Sequence, residues 1–520
     1  MEYQTENIQA YQQEEAGQDP FYLDFDLNVP DAEPDVKKVI LAEGKIRVED
    51  LQMEEQDLRV TGKLEVKILY LAEGGSYPAA QVKGAFPFEE RIRMKRKDLE
   101  NIRVAVAGLE VTASVIHSRK LEIRSAATLQ AYSEGCRELR ITTDVEEAQT
   151  DLCKKYEETQ VLDVHTIKKD LLRIREEVRA DDSGEPIEAL LWSDVSLQKF
   201  DARMEQDALR VRGELLVFCL YAGPEGELHA VRRAVPFEGS LACAGGEASM
   251  YRQVWPELTE GNIELKMDED GEMRIFALDA ALEVRFVVSR ERTVRYLADV
   301  YATGAVCTPK KREESAEQLL LQNDSRCKVS ETLSLPEIKD QILKVCHSSG
   351  RIETETIRET QEGLLVEGVL HVCVLYLKDD VLCPVDSWQG MIPFSHVLEC
   401  AHLENEGRYH LTKTVEQLSV SLLGGEEMEI RALLGFHCMF RRPVSICQVE
   451  EIGISPADPQ EVENRPGLVG YLVQPGDCLW DLAKKYQTTE ENIRKVNDLQ
   501  TEEIKSGDKL LIFKENMSIL

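Results

Sequence analysis

Aromatic residues make up only 6% of this 520-residue chain. No window holds the roughly 18–20 apolar residues that a membrane-crossing helix needs, so no membrane insertion is expected. Basic residues are also few, with 62 Lys and Arg against 96 Asp and Glu for a net charge of −34. A surface so short of positive charge cannot displace counterions from nucleic acid and is repelled by anionic lipid. The opening Met-Glu-Tyr-Gln-Thr-Glu lacks both the basic and the apolar region of a secretory signal. Thirteen cysteines are present, odd in number, scattered, and never spaced Cys-x-x-Cys. That pattern suits reduced thiols in a cytosol better than a disulfide framework. Also missing are a phosphate-binding Gly-rich loop, a dinucleotide fingerprint, His-Glu-x-x-His and Gly-x-Ser-x-Gly. The chain reads as non-enzymatic, with no cofactor and no metal.

What is present is repetition. Leu58–Tyr70 (LRVTGKLEVKILY), Leu209–Tyr221 (LRVRGELLVFCLY) and Leu364–Tyr376 (LLVEGVLHVCVLY) share one pattern. Gly62, Gly213 and Gly368 head the runs, and Pro87-Phe88, Pro236-Phe237 and Pro393-Phe394 follow after 25, 23 and 25 residues. A short apolar segment lies upstream in each copy: Ile40-Leu41, Leu190-Leu191 and Ile342-Leu343. Downstream, KLEIR at 120–124, Met273-Arg274-Ile275 and MEIR at 428–431 each open another β-like run. A period near 150 residues makes each copy a whole domain. Alternation of Leu58, Val60, Leu64, Val66 and Ile68 with charged neighbours is a strand with one wet face. A glycine inside such a strand predicts a bulge or a close backbone approach.

The expected architecture is mainly β: three tandem β-rich domains followed by a small α+β (βααβ) module. Boundaries fall at 36–150, 165–305 and 331–452, with a linker at 453–468 and the module at 469–515. Residues 1–35, with ten acids and no Lys or Arg, are expected to be partly disordered, although Phe21–Leu27 alternates like an edge strand. Three prolines in 455–466 predict a tethered module with little contact to the repeats.

Candidate chemistry is thin. His396, Cys400 and His402 have metal-like spacing, but Cys400 stands seven residues after Pro393, as Cys243 does after Pro236 and Met94 after Pro87. A position reading Met, Cys, Cys is a core site. Cys478 lacks a partner base, since no His follows His437.

In the tail, Tyr471-Leu472-Val473 reads as a strand, Gln474-Pro475-Gly476-Asp477 as a turn, and Asp477 as a helix N-cap. Leu479, Leu482, Ala483 and Tyr486 share one helix face. Thr488 with Glu491 resembles a capping box for a second helix, with Ile493 and Val496 inward. Lys505–Asp508 turns into the strand Leu510-Leu511-Ile512. This whole string, with Gly476-Asp477, Leu479-Trp480, Ile493, Asn497, Ile504, Gly507 and Leu510, resembles the LysM family. The resemblance implies a groove for N-acetylglucosamine-containing glycans, peptidoglycan or chitin-like, formed by Gly476, Asp477, Cys478, Leu479, Asn497, Leu499, Ile504 and Lys505. Cys478 replaces the usual Thr or Ser, Gln487 the usual Gly and Ser506 the usual Pro. Gln474, Leu479 and Lys505 are expected on the exposed rim.

Tandem Gly-headed, Pro-Phe-bearing β domains with a terminal LysM resemble the SPOCS-domain proteins of endospore-forming bacteria. That resemblance implies a scaffold or adaptor in spore coat assembly, cytoplasmic in the mother cell around the forespore. Its implied partner is the morphogenetic ATPase of the coat basement layer. The alternative is a cell-wall protein whose LysM holds peptidoglycan.

Overall fold

The computed structural model describes all residues except 97–100, 148–149, 181–184, 335–341, 401–406, 425–426, 457–466, 502 and 514–520. Within them the chain builds one six-stranded unit three times. Unit 1 comprises β1 (Glu2–Asn28), β2 (Asp35–Glu54), β3 (Asp57–Glu73), β4 (Ala79–Arg93), β5 (Ile102–His117) and β6 (Lys120–Glu146). Unit 2 comprises β7 (Leu152–Arg179), β8 (Ala189–Glu205), β9 (Ala208–Ala222), β10 (Leu228–Ala242), β11 (Tyr251–Met267) and β12 (Met273–Ala302). Unit 3 comprises β13 (Ala305–Ser334), β14 (Ile342–Thr360), β15 (Gly363–Lys378), β16 (Val385–Glu399), β17 (Arg408–Gly424) and β18 (Glu427–Pro456). Each unit has two antiparallel three-stranded sheets. The second to fourth strands form a meander, and the sixth strand pairs between the first and the fifth. The inner faces of the two sheets close a separate core in each unit.

The shared motifs sit at equivalent points. Gly62, Gly213 and Gly368 lie opposite Phe88, Phe237 and Phe394 in the ladder. That explains why the glycine and the Pro-Phe pair recur together. A Cβ would come within 2.9 Å of the Phe88 ring, 2.8 Å of the Phe237 ring and 2.1 Å of the Glu353 carbonyl oxygen, respectively. Gly368→Ala should therefore destabilise unit 3 by about 1–3 kcal/mol, measured by urea unfolding.

Adjacent residues on a strand face opposite sides, and the repeated Leu-Tyr uses this. Tyr70, Tyr221 and Tyr376 fill the unit cores. Leu69, Leu220 and Leu375 instead meet in a single core shared by all three units. Opposite them stand Leu41, Trp192 and His347, each next to a register shift that carries Ile40, Leu191 and Cys346 into the same core. The second upstream segment is thus Leu191-Trp192 rather than Leu190-Leu191, and the third is Cys346-His347, not Ile342-Leu343; Leu343 is 64% exposed. The polar His347 hid the match. It stacks on Phe218 with ring centroids 4.3 Å apart and bonds Asp194 at 2.9 Å. Lys67 lies 4.1 Å above the Trp192 ring.

Three expectations change. Residues 2–28 are β1, paired with β6 along its length, because Ile8, Ala10, Ala16, Phe21 and Leu27 are buried among the surrounding acids. The units also begin a strand ahead of the expected 36, 165 and 331, since β1, β7 and β13 belong to them. Of the expected linker 453–468, residues 453–456 end β18, and 457–466 lie outside the described residues.

Candidate functional site: the LysM module and its berth

Strands β19 (Leu468–Leu472) and β20 (Lys509–Phe513) pair antiparallel around α1 (Leu479–Tyr486) and α2 (Glu490–Val496). Val473, Leu479, Leu482, Ala483, Ile493, Leu510 and Ile512 form the core, with Tyr486 packed against it. Two turns of the same make stand side by side. Gly476 has φ +92° and Gly507 +95°, the left-handed region where glycine carries no Cβ penalty. Asp477 accepts from the Gln474 amide at 2.7 Å, and Asp508 accepts from the Lys505 amide at 2.8 Å. The turns are joined by Val473 N–H to Asp508 O and Gly507 N–H to Val473 O, both 2.9 Å.

Asp477 is thus committed to its turn, where it also accepts from Tyr471 Oη at 2.8 Å. The N-cap of α1 is Cys478, which makes no side-chain cap bond. Its thiol donates to Asp481 Oδ2 at 3.1 Å, and burial raises its pKa, so it stays protonated. The cap of α2 is Thr489, accepting from the Asn492 amide at 3.1 Å, rather than a Thr488–Glu491 box. Gln487 sits at φ +51°, which favours glycine. Gln487→Gly should stabilise the module by about 1 kcal/mol, read from its thermal midpoint.

The implied groove residues separate into classes. Gly476 and Lys505 are exposed, and Asp477 and Cys478 half-buried, as the two turns require. Leu499 and Ile504 pack against the module core. Asn497 is used by the fold: its amide donates to Ile493 O and Leu511 O at 2.8 Å and accepts from Leu511 N at 2.7 Å. Leu479, expected on the rim, is 2% exposed because it leads the apolar face of α1.

Sequence reasoning missed the opposite face of α1. Trp480 Nε1 donates to Asp299 Oδ2 at 2.8 Å, and Lys484 Nζ reaches the same carboxylate at 2.7 Å. Tyr301 Oη donates to Thr488 O at 2.8 Å, and its ring meets Trp480 edge-on at 4.9 Å. Tyr301 joins the module's core cluster, with Cys153 packed against it. The module is therefore docked on the end of β12 rather than merely tethered. The overlooked signal was Trp480, a large aromatic off the inward stripe of its helix.

Burial alone would raise the Asp299 carboxyl. Hydrogen bonds from Lys484 and Trp480, with the charges of Lys484 and Lys311, outweigh it and hold the pKa below the ordinary value. A depressed folded-state pKa gives stability that is complete above the free value of about 4 and lost as pH falls through the lowered one. Docking should therefore persist at neutral pH and weaken only in acid below about pH 4. Tryptophan fluorescence of the full chain, referenced to Trp480→Phe, would follow it.

Other candidates resolve into structure. Cys400, Cys243 and Met94 each lie in the core of their own unit, as their common offset indicated. His396 bonds Ser325 Oγ at 2.9 Å, and His402 lies outside the described residues. All thirteen cysteines are free thiols. Glu185, Glu227 and His229 bring ligand atoms within 4.8 Å of one another beside the β9–β10 turn, where Glu227 and His229 already bond at 3.3 Å. Among the described residues no helix is long and apolar enough to cross a membrane.

Compared with known families, residues 471–513 match the LysM domain. Residues 35–116, 186–266 and 341–423 match a family described as SipL, SPOCS domain. These spans cover the second to fifth strands of each unit and leave out the two long strands that pair with each other. No curated protein and no solved structure matches the chain. Both families are binding or adaptor domains rather than catalytic ones. Three SPOCS domains and a C-terminal LysM domain, itself a module of peptidoglycan-binding type, make this a sporulation-related SPOCS–LysM protein.

Proposed function

We propose that the chain is a non-enzymatic scaffold in endospore coat assembly, acting in the mother cell around the forespore. Its LysM binds the morphogenetic ATPase of the coat basement layer. The observation that carries this reading is the pair of exposed Gly-Asp turns, Gln474–Asp477 and Lys505–Asp508, left open on a module whose α1 is fixed to unit 2. Cys478 favours a protein over a sugar ligand. Its thiol is a weak hydrogen-bonder and is turned to Asp481, so the groove edge lacks the hydroxyl that a glycan would use.

The full chain should bind chitin oligomers or isolated peptidoglycan weakly or not at all by titration calorimetry. It should co-purify with the ATPase from sporulating cells, and Gln474→Ala with Lys505→Glu should abolish that recovery while leaving the fold intact. Low-micromolar glycan affinity, about −7 to −8 kcal/mol, together with protein in the wall fraction, would favour the peptidoglycan-binding alternative instead. Cys478→Thr separates the two as well, since it should strengthen sugar binding only if sugar is the ligand.

A further inference from the structure

A cavity of about 20 Å³ lies where the three units meet, lined in part by Tyr11 of unit 1, Gln253 and Ser289 of unit 2, and Glu317, Met439 and Arg441 of unit 3. Three of these side chains are more than nine-tenths buried: Gln253 at 7% exposure, Tyr11 at 8% and Arg441 at 8%. Gln253 Nε2 and Arg441 Nε have no hydrogen-bond partner, and Tyr11 Oη, which the Arg285 guanidinium approaches, keeps its own O–H to donate. One donor comes from each unit. We infer that this junction binds a monatomic monovalent anion of chloride size, held by donors from all three units.

The chemistry of the donors carries the choice. Arg441 Nε and Gln253 Nε2 can only donate, and Tyr11 can add its O–H. A water oxygen accepts only two hydrogen bonds and has to give a proton back to Tyr11 Oη, whereas a halide accepts from all three donors. Buried donors left unpaired cost about 1–3 kcal/mol each, so the site calls for an occupant. The volume admits one or two water-sized bodies, and so excludes phosphate, sulfate or an organic carboxylate.

Charge points the same way. Glu317 lines the cavity, but it is shared by Arg408 at 3.2 Å and Arg441 at 2.7 Å. Next to this, Glu134 is shared by Arg103 at 3.2 Å and Arg285 at 2.6 Å. Four guanidinium groups thus pair with two carboxylates, a positive excess whose solvent side is Arg408 at 65% and Arg103 at 37% exposure. His410, stacked edge-on against Trp255, feels that excess: burial, then Arg441, Arg285 and Arg103, push its pKa down to about 3. It adds no charge to either side at neutral pH.

The test is an anion series on the full-length protein at fixed pH and ionic strength, exchanging gluconate for chloride or bromide. One site on the folded state should lower the unfolding constant up to tenfold for each tenfold rise in halide above saturation. Crystals grown in bromide should show its anomalous scattering in the cavity. Tyr11→Phe and Gln253→Leu should each flatten the halide dependence; if either fails to fold, the wild-type series and the bromide peak decide alone. Equal unfolding in gluconate and chloride, or a cavity holding only water in bromide-grown crystals, overturns the inference.

Discussion

Trp192→Ala should cost about 3–5 kcal/mol of folding stability, the largest loss expected from any single change in the chain. Trp192 is fully buried at the core shared by the three units, with Leu69, Leu220 and Leu375 around it. Truncation leaves a cavity that rigid sheets on three sides cannot close. Trp192→Phe should cost far less, because the indole N–H makes no hydrogen bond among the described residues and has none to lose. Equilibrium unfolding in guanidinium chloride would measure both. The shape of the transition carries as much as its midpoint. If the shared core couples the units, the wild type unfolds in one step and Trp192→Ala splits it. A wild type that already unfolds in three steps would show that the shared core contributes little.

Asp299→Ala should undock the LysM from unit 2 without unfolding either. It removes the acceptor for the buried Trp480 indole and for Lys484. The stranded indole donor costs about 1–3 kcal/mol, whereas Lys484 is 34% exposed and recovers much of its loss from water. A shift of that size is about a 5- to 150-fold change in the docking equilibrium. Hydrogen exchange at the Trp480 indole and the radius of gyration from small-angle scattering should both increase. Unchanged protection of Trp480 in the variant would mean that the contacts of Tyr301 suffice to hold the module.

Much of this was legible in the residues, for reasons that also explain the failures. The second to fifth strands of each unit are short, the third strand alternates along much of its length, and its Gly stands opposite the Phe of the Pro-Phe pair in the ladder. The long first strands carry no such mark. In β1 the apolar residues Ile8, Ala16 and Leu27 are diluted by acids, so a buried strand reads as a charged tail. The third copy hid its counterpart of Leu41 and Trp192 because a buried histidine does that work, held by stacking and a carboxylate rather than by hydrophobicity. In the LysM the sequence placed both helices, the two turns and the core apart from Val496, which lies outside it. It erred by one residue at each cap, because neighbouring Asp477-Cys478 and Thr488-Thr489 offer alternatives that only the backbone path decides. The berth at Asp299 was out of reach, since a lone aspartate near the end of a strand carries no period.

Asp144 in unit 1 and Asp299 in unit 2 each precede a valine, Val145 and Val300, buried in the same inter-unit cluster. Asp144 is bonded by Lys154 at 2.7 Å and Tyr156 at 2.8 Å, both from the first strand of the next unit. Asp299 has only Lys311, 3.4 Å away, from the corresponding strand of unit 3, and the LysM supplies the rest. Units 1 and 2 thus do not offer like berths. The symmetry that three separate copies would keep is broken here, and the LysM has a fixed place beside unit 2.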